Sequence, residues 1–265
     1  MERFGLVGLP NAGKSSLYNA LTGGGALAAP YAFATKDPNI GVARVPDTRL
    51  DQLAIMSKTQ KTVHATVQVV DIGGIVEGAS KGEGLGNKFL ANIREVEATV
   101  FVLRAFEDDD VPGPSDPLEH LRIVELELAL ADLETVESRL PRLQKSSKLD
   151  KSVLEEVAAL EVALTSLSEG IPLYRAGLSA DIRLALAPHF LLTNRRVLAV
   201  VNVGENELDK IPEAEASVRA ELAPPGSASA AEVEVLGMSV QLEAEAAQLD
   251  EADRAEMLGA LGLGE

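Results

Sequence analysis

Residues Gly8-Leu9-Pro10-Asn11-Ala12-Gly13-Lys14-Ser15 fit the pattern G-x-x-x-x-G-K-[ST]. The chemistry such a run can do is anion capture. Its glycines let the backbone wrap closely, so successive N–H groups point inward at phosphate oxygens. A helix that starts where the loop ends adds its positive N-terminal end. In this frame Asn11, Ala12, Gly13, Lys14, Ser15 and Ser16 line the phosphates. Lys14 reaches the β- and γ-phosphates, and the Ser15 hydroxyl holds Mg²⁺. At average composition the pattern arises by chance in about 1% of chains this long.

Four further segments follow in the order that a nucleotide-driven switch requires. Asp71 ends the apolar run Thr66–Val70 and opens Asp71-Ile72-Gly73-Gly74, a D-x-x-G pattern. A carboxylate at a strand end can hold Mg²⁺ directly or through water, and Gly74 leaves an amide free to face a γ-phosphate. Thr35, within Phe33–Asn39, can close on Mg²⁺ and the γ-phosphate, although a loop threonine alone is a weak signal. Lys14, Thr35 and Gly74 are therefore the expected catalytic positions. Gly78–Gly86 holds four glycines in nine residues, either a second switch ordered by the γ-phosphate or a plain surface loop. Ile75 stands where many GTPases carry a water-orienting glutamine. It can neither donate nor accept a hydrogen bond, so slow intrinsic turnover is expected.

The base-reading segment is Asn202-Val203-Gly204-Glu205, at the place of N-K-x-D in a GTPase. There the aspartate accepts two hydrogen bonds from guanine. Glu205 is one methylene longer and Val203 replaces the lysine, which removes most of the reason to prefer guanine while costing adenine nothing. A degenerate GTP site is the alternative. Ser239, in Gly237-Met238-Ser239-Val240, falls where a backbone amide would touch the base edge.

The elements that must position these residues are legible as apolar runs. Strand-like segments occur at Phe4–Leu9, Thr66–Val70, Val100–Leu103 and Val197–Val201, with a weaker one at Glu232–Leu236. Helical stretches alternate with them at Lys14–Leu21, Thr48–Met56, Asn87–Glu95 and Ala214–Leu222. Such alternation implies a mostly parallel sheet covered on both faces, a three-layer α/β/α nucleotide-binding domain of the P-loop NTPase type. Between Pro112 and Asn194 the pattern turns wholly helical. Leu126, Leu130, Leu133, Val136 and Leu140 form one stripe, and Val153, Val157, Leu160, Leu164 and Leu167 another, around the polar residues Gln144–Ser152. This predicts an inserted antiparallel, coiled-coil-like helical hairpin over 112–194, with the nucleotide domain split into 1–111 and 195–265.

Composition bounds the rest. The chain has 265 residues, 46% hydrophobic but only 3% aromatic, so its core is aliphatic. It holds no cysteine, no 18-residue apolar run and no secretory h-region at Met1–Phe4, which leads to an expected soluble cytoplasmic monomer without disulfides or a membrane span. A net charge of −17 argues against non-specific coating of nucleic acid. Between residues 139 and 151, however, Arg139, Arg142, Lys145, Lys148 and Lys151 face Asp150 alone, a local charge of +4 at the hairpin turn. That is either a solvated turn or a basic tip presented to RNA. His64, His120 and His189 read as ordinary surface or core histidines.

Taken together, Gly8–Ser16, the run Gly78–Leu90, Asn202–Glu205, Leu126–Glu134 and the tail Leu242–Leu263 resemble the YchF family, within the Obg-related branch of P-loop GTPases. The resemblance implies a G domain with an inserted coiled-coil hairpin, Mg²⁺-dependent hydrolysis of ATP in preference to GTP, and association with ribosomes. It also implies a small β-rich TGS domain after the matched region, whereas the sequence stops at Glu265. In related GTPases an asparagine at the place of Asn11 helps to hold K⁺ beside the phosphates; Asn11 can do this through its side-chain carbonyl, or can simply cap its own loop. A GTP-dependent Obg-like regulator and a non-catalytic nucleotide-sensing adaptor are the two other readings.

Overall fold

The computed structural model describes residues 2–23, 38–74, 85–108, 110–147, 151–223 and 233–261. Thr35, Ile75, Gly78–Gly84 and Lys148 lie outside these residues. Among the described residues six strands, β1 (Arg3–Val7), β2 (Asn39–Arg44), β3 (Thr66–Asp71), β4 (Ala98–Arg104), β5 (Arg196–Asn202) and β6 (Val233–Met238), form one sheet in the order β2-β3-β1-β4-β5-β6. All neighbours run parallel except β2, which is antiparallel to β3 at the edge.

Strand β4 shows why the sheet is covered twice. Val100 and Val102 point to one face, where they pack with Leu6, Val69, Val200 and the helices α1 (Lys14–Thr22) and α8 (Val240–Ala246). Phe101 and Leu103 point to the other, against α3 (Leu85–Arg94), α4 (Pro117–Ser146) and α7 (Ile211–Leu222). Every residue from Thr99 to Arg104 is buried, the continuous pattern of a central parallel strand. Two further helices, α2 (Thr48–Ser57) and α9 (Glu251–Ala260), carry no fully buried residue among those described.

Strand β2 was not among the apolar runs of the sequence. It is an edge strand whose residues alternate outward (Ile40, Val42, Arg44) and inward (Gly41, Ala43), so only small residues face the protein. A Cβ on Gly41 would lie 2.7 Å from the Tyr18 hydroxyl and the Thr22 methyl, and this is how α1 packs so close to the edge.

The helical insertion is present as α4 followed by α5 (Leu154–Ser168) and α6 (Ala180–Leu186). Helix α4 is one continuous helix of 30 residues that serves two cores. Its first half places Leu121, Val124, Leu128 and Ala131 against the sheet; further along, Ala129, Val136 and Leu140 join Val157, Leu160, Ala163 and Leu167 of α5. Leu126, which belonged to the expected stripe, is exposed. The expected spacing holds from Leu133 on and slips before it, because the sheet-facing stripe is interrupted by the buried charges Glu125 and Glu127. Glu125 accepts from the Tyr174 hydroxyl at 2.6 Å and from Arg175 at 2.8 Å. Asp132 is wholly buried and accepts from the Leu192 amide, the Thr193 amide and the Thr193 hydroxyl, each at 2.7 Å. It thereby fixes the chain as it returns from the insertion into β5.

Candidate active site

The carboxyl ends of β1, β3, β5 and β6 open on the same edge of the sheet, where ligands bind in sheets of this kind. The loop after β1 needs backbone approach that only glycine allows. A Cβ on Gly8 would sit 2.4 Å from the Val102 carbonyl, so the loop leaves the sheet pressed against β4. Asn11 has φ 62° and Gly13 has φ 98°, left-handed conformations that asparagine tolerates and glycine favours. Gly13 is the N-cap of α1, so the amides of the loop converge on a helix N-terminus.

Lys14 is only 6% exposed. Its Nζ donates to the Leu9 carbonyl at 2.7 Å, folding the side chain back along the loop. Burial lowers its pKa to about 8, and the nearby Asp71 carboxylate partly opposes the shift. The Ser15 hydroxyl donates to Asp71 Oδ2 at 2.6 Å, which joins the first turn of α1 to the end of β3. Asp71 is in register with Leu6 of β1, so the carboxylate is placed by sheet pairing and not by a loop. Gly74 packs on the loop from the other side; a Cβ there would meet Pro10 N and Cα at 3.0 and 3.1 Å.

Asn202 ends β5 and is buried. Its Nδ2 donates to the Ala12 carbonyl at 3.0 Å, and its Oδ1 accepts from the Val240 amide at 3.0 Å. Both ends of the carboxamide are thus used to tie the phosphate loop to the turn after β6. A Cβ on Gly13 would lie 2.5 Å from Asn202 Nδ2, so the glycine also makes room for this clamp. Val203 is buried with its amide donated to Met238 O at 2.9 Å, while Glu205 is exposed on the loop beyond. Ser239 is buried at the start of α8, and its Oγ has no hydrogen-bond partner among the described residues.

The structure therefore brings Ala12, Gly13, Lys14, Ser15, Asp71, Gly74, Asn202 and Ser239 together around one loop. Ser16 follows in the first turn of α1. Asn11 stands at the loop's outer side, with Nδ2 donating to the Pro112 carbonyl at 3.2 Å. That contact, and Arg104 behind it, had no signal in the sequence, because residues 101 positions apart meet only through the sheet. The three histidines are all buried: His64 Nε2 lies 3.1 Å from Asp51, His120 Nε2 2.8 Å from Pro114 O, and His189 Nε2 2.8 Å from Glu156. Of the basic residues near the hairpin turn, Arg142, Lys145 and Lys151 are exposed. Arg139 is exposed as well, but its guanidinium is engaged, bonding to His189 Nδ1 at 3.1 Å and to the His189 carbonyl at 3.2 Å.

A phosphate loop on a six-stranded, mostly parallel sheet, with a carboxylate at the end of β3 bonded to the loop's serine, defines a P-loop GTPase-type domain. The family model described as 50S ribosome-binding GTPase matches residues 3–138. The chain is 43% identical over 265 residues to the ribosome-binding ATPase YchF of Escherichia coli O157:H7, covering 98% of this chain and 71% of that protein. It is 40% identical over 266 residues to the protein of the same name from Bacillus subtilis, again covering 98% and 71%. The solved structure of the Schizosaccharomyces pombe YchF GTPase matches all of this chain and 72% of its own length, with a TM-score of 0.76 and 32% identity. The chain belongs to the YchF family.

Proposed function

We propose that this protein is a nucleotide-driven switch that hydrolyses ATP in preference to GTP, with Mg²⁺, and works on the ribosome. The observation that carries the reading is the junction of Lys14, Ser15 and Asp71. An ammonium, a hydroxyl and a carboxylate meet where the loop amides converge. Ser15 and Asp71 supply two hard oxygen donors 2.6 Å apart, which fits Mg²⁺. Among the described residues no group of three or more His, Cys, Asp or Glu gathers as a self-sufficient metal cage, which suits an ion that takes its remaining ligands from phosphates and water. When bound, Mg²⁺ would neutralise charge developing on the transferred phosphoryl group.

This chain's own residues bind and orient. Lys14 exchanges the Leu9 carbonyl for phosphate oxygens, a better partner for a buried cation. Asn202 holds the loop and the base-side turn in one register. Glu205, in place of the guanine-reading aspartate, supports the adenine preference. Thr35 and Gly74 are assigned to sense the γ-phosphate.

The relatives' names support a ribosomal partner, and the exposed cations Arg142, Lys145 and Lys151 near the hairpin turn offer a surface for its RNA. Among the described residues no helix is long and apolar enough to cross a membrane. The deciding experiment is a titration with fluorescent ATP and GTP analogues in Mg²⁺, followed by single-turnover hydrolysis with and without ribosomes. Tighter ATP binding and ribosome-stimulated turnover are expected. Equal or tighter GTP binding overturns the base assignment, and absence of turnover in all conditions overturns the hydrolase reading.

A further inference from the structure

Arg104, the last residue of β4, is 2% exposed. It forms no salt bridge among the described residues; instead it gathers backbone carbonyls. Its Nε donates to Phe106 O at 3.0 Å, and its Nη1 lies 3.0, 3.3 and 3.4 Å from the carbonyls of Val111, Pro112 and Gly113. The guanidinium carbon sits 4.6 Å above the Phe106 ring, a cation–π contact that closes the other side. The segment between β4 and α4 is thus wound around one buried cation.

One of those carbonyls has a second donor. Pro112 O also accepts from Asn11 Nδ2 of the phosphate loop at 3.2 Å. A carbonyl has two lone pairs, and here one is held by Arg104 and the other by Asn11. The same segment is pinned to the start of α4 by the His120 bond to Pro114 O at 2.8 Å, and by Asp116, which accepts from the Leu118 amide at 2.9 Å. Asn11 is a left-handed residue of the phosphate loop, and the Pro112 carbonyl is a partner that its carboxamide takes from outside that loop.

We propose that Arg104 is a positioning residue for the phosphate site. By fixing the Pro112 carbonyl it sets the orientation of the Asn11 carboxamide, keeps the Asn11 Oδ1 edge turned away from the strap, and couples that orientation to the first turn of the hairpin helix. Only a planar fork can do this. A lysine carries the charge but, as a single point donor, cannot hold carbonyls from both ends of the strap together.

The inference rests on the hydrolase reading, and a double-mutant cycle of Arg104→Lys and Asn11→Ala separates the two. In the full chain, each single variant is expected to lower kcat/KM for ATP roughly tenfold, through slower turnover and faster nucleotide release. The double variant is expected to be no slower than the slower single one, because both act through one carbonyl. Multiplicative losses overturn the proposal, as does an Arg104→Lys protein with wild-type kcat. If the wild-type chain itself shows no turnover, the hydrolase reading fails. The cycle is then read on the dissociation rate of a fluorescent ATP analogue, where the same non-additivity supports the positioning role and additivity refutes it. A purely structural arginine would lower the melting temperature and leave the coupling with Asn11 at zero.

Discussion

With Lys14 at the phosphates as proposed, nucleotide affinity is expected to depend on pH between about 7 and 9.5. In the free protein its pKa is about 8, because burial disfavours the ammonium. Bound phosphates restore the charged form, so binding above pH 8 must take up a proton. At pH 7 about a tenth of the free protein has lost it; at pH 9 about nine-tenths has. Affinity is therefore expected to fall roughly tenfold between pH 7 and pH 9, about 1.4 kcal/mol, and to approach one decade per pH unit above that. Folding stability of the free protein runs the other way. The native pKa lies below the unfolded value of 10.5, so the unfolded chain binds more protons between pH 8 and 10.5, and stability gains up to about 3 kcal/mol across that window. Titration with a fluorescent ATP analogue from pH 7 to 9.5 reads the first effect. Lys14→Arg, which stays charged throughout, should bind more weakly but without the slope. A flat wild-type profile, or the same slope in Lys14→Arg, refutes the reasoning.

Four other perturbations test the rest of the framework. Gly8→Ala drives a Cβ to 2.4 Å from a backbone carbonyl of the central strand, and should cost about 1–3 kcal/mol in urea unfolding together with loss of nucleotide binding. Asn202→Ala leaves the Ala12 carbonyl and the Val240 amide buried without this partner; about 1–3 kcal/mol is expected for each, with weaker ATP binding. Asp132 has its pKa raised to about 6 by burial, against the Thr193 and Leu192 hydrogen bonds that pull it down. Its native pKa exceeds the unfolded value of 3.8, so its contribution is fully present below pH 3.8 and lost as pH rises through 6, about 3 kcal/mol in all. Asp132→Asn should remove that descending component from the melting-temperature profile while lowering stability at pH 7, since an amide presents a donor to two amides and a hydroxyl. Reversing Arg142, Lys145 and Lys151 to glutamate should weaken a salt-sensitive ribosome interaction without changing ATP affinity; unchanged co-sedimentation would remove the basic tip from consideration.

Much of this protein was legible along the chain because its determinants are local. The loop Gly8–Ser15, the strands β1, β3, β4 and β5 with their continuous apolar runs, and the helix pattern from Val153 to Leu167 depend on residues a few positions apart. Backbone geometry and side-chain periodicity express such relations directly in sequence. Strand β2 was hidden because an edge strand buries only glycine and alanine, and α4 was misphased before Leu133 because its inner face carries charges that are satisfied by partners about 50 residues away. Tyr174, Arg175 and Thr193 cannot be matched to Glu125 and Asp132 by spacing.

By itself, then, the sequence picked out the groups that the structure gathers at the loop: its glycines, the Lys14 ammonium, the Ser15 hydroxyl and the Asp71 carboxylate. The tertiary structure alone decided how these groups are held. Asp71 reaches Ser15 because two parallel strands pair in one register. Asn202 turned out to be a clamp between two loops, Lys14 a desolvated cation with a lowered pKa, and Arg104 the hub of a strap against Asn11. Each of these properties is set by burial and by hydrogen-bond partners far away in the chain, and those quantities exist only once the chain has closed on itself.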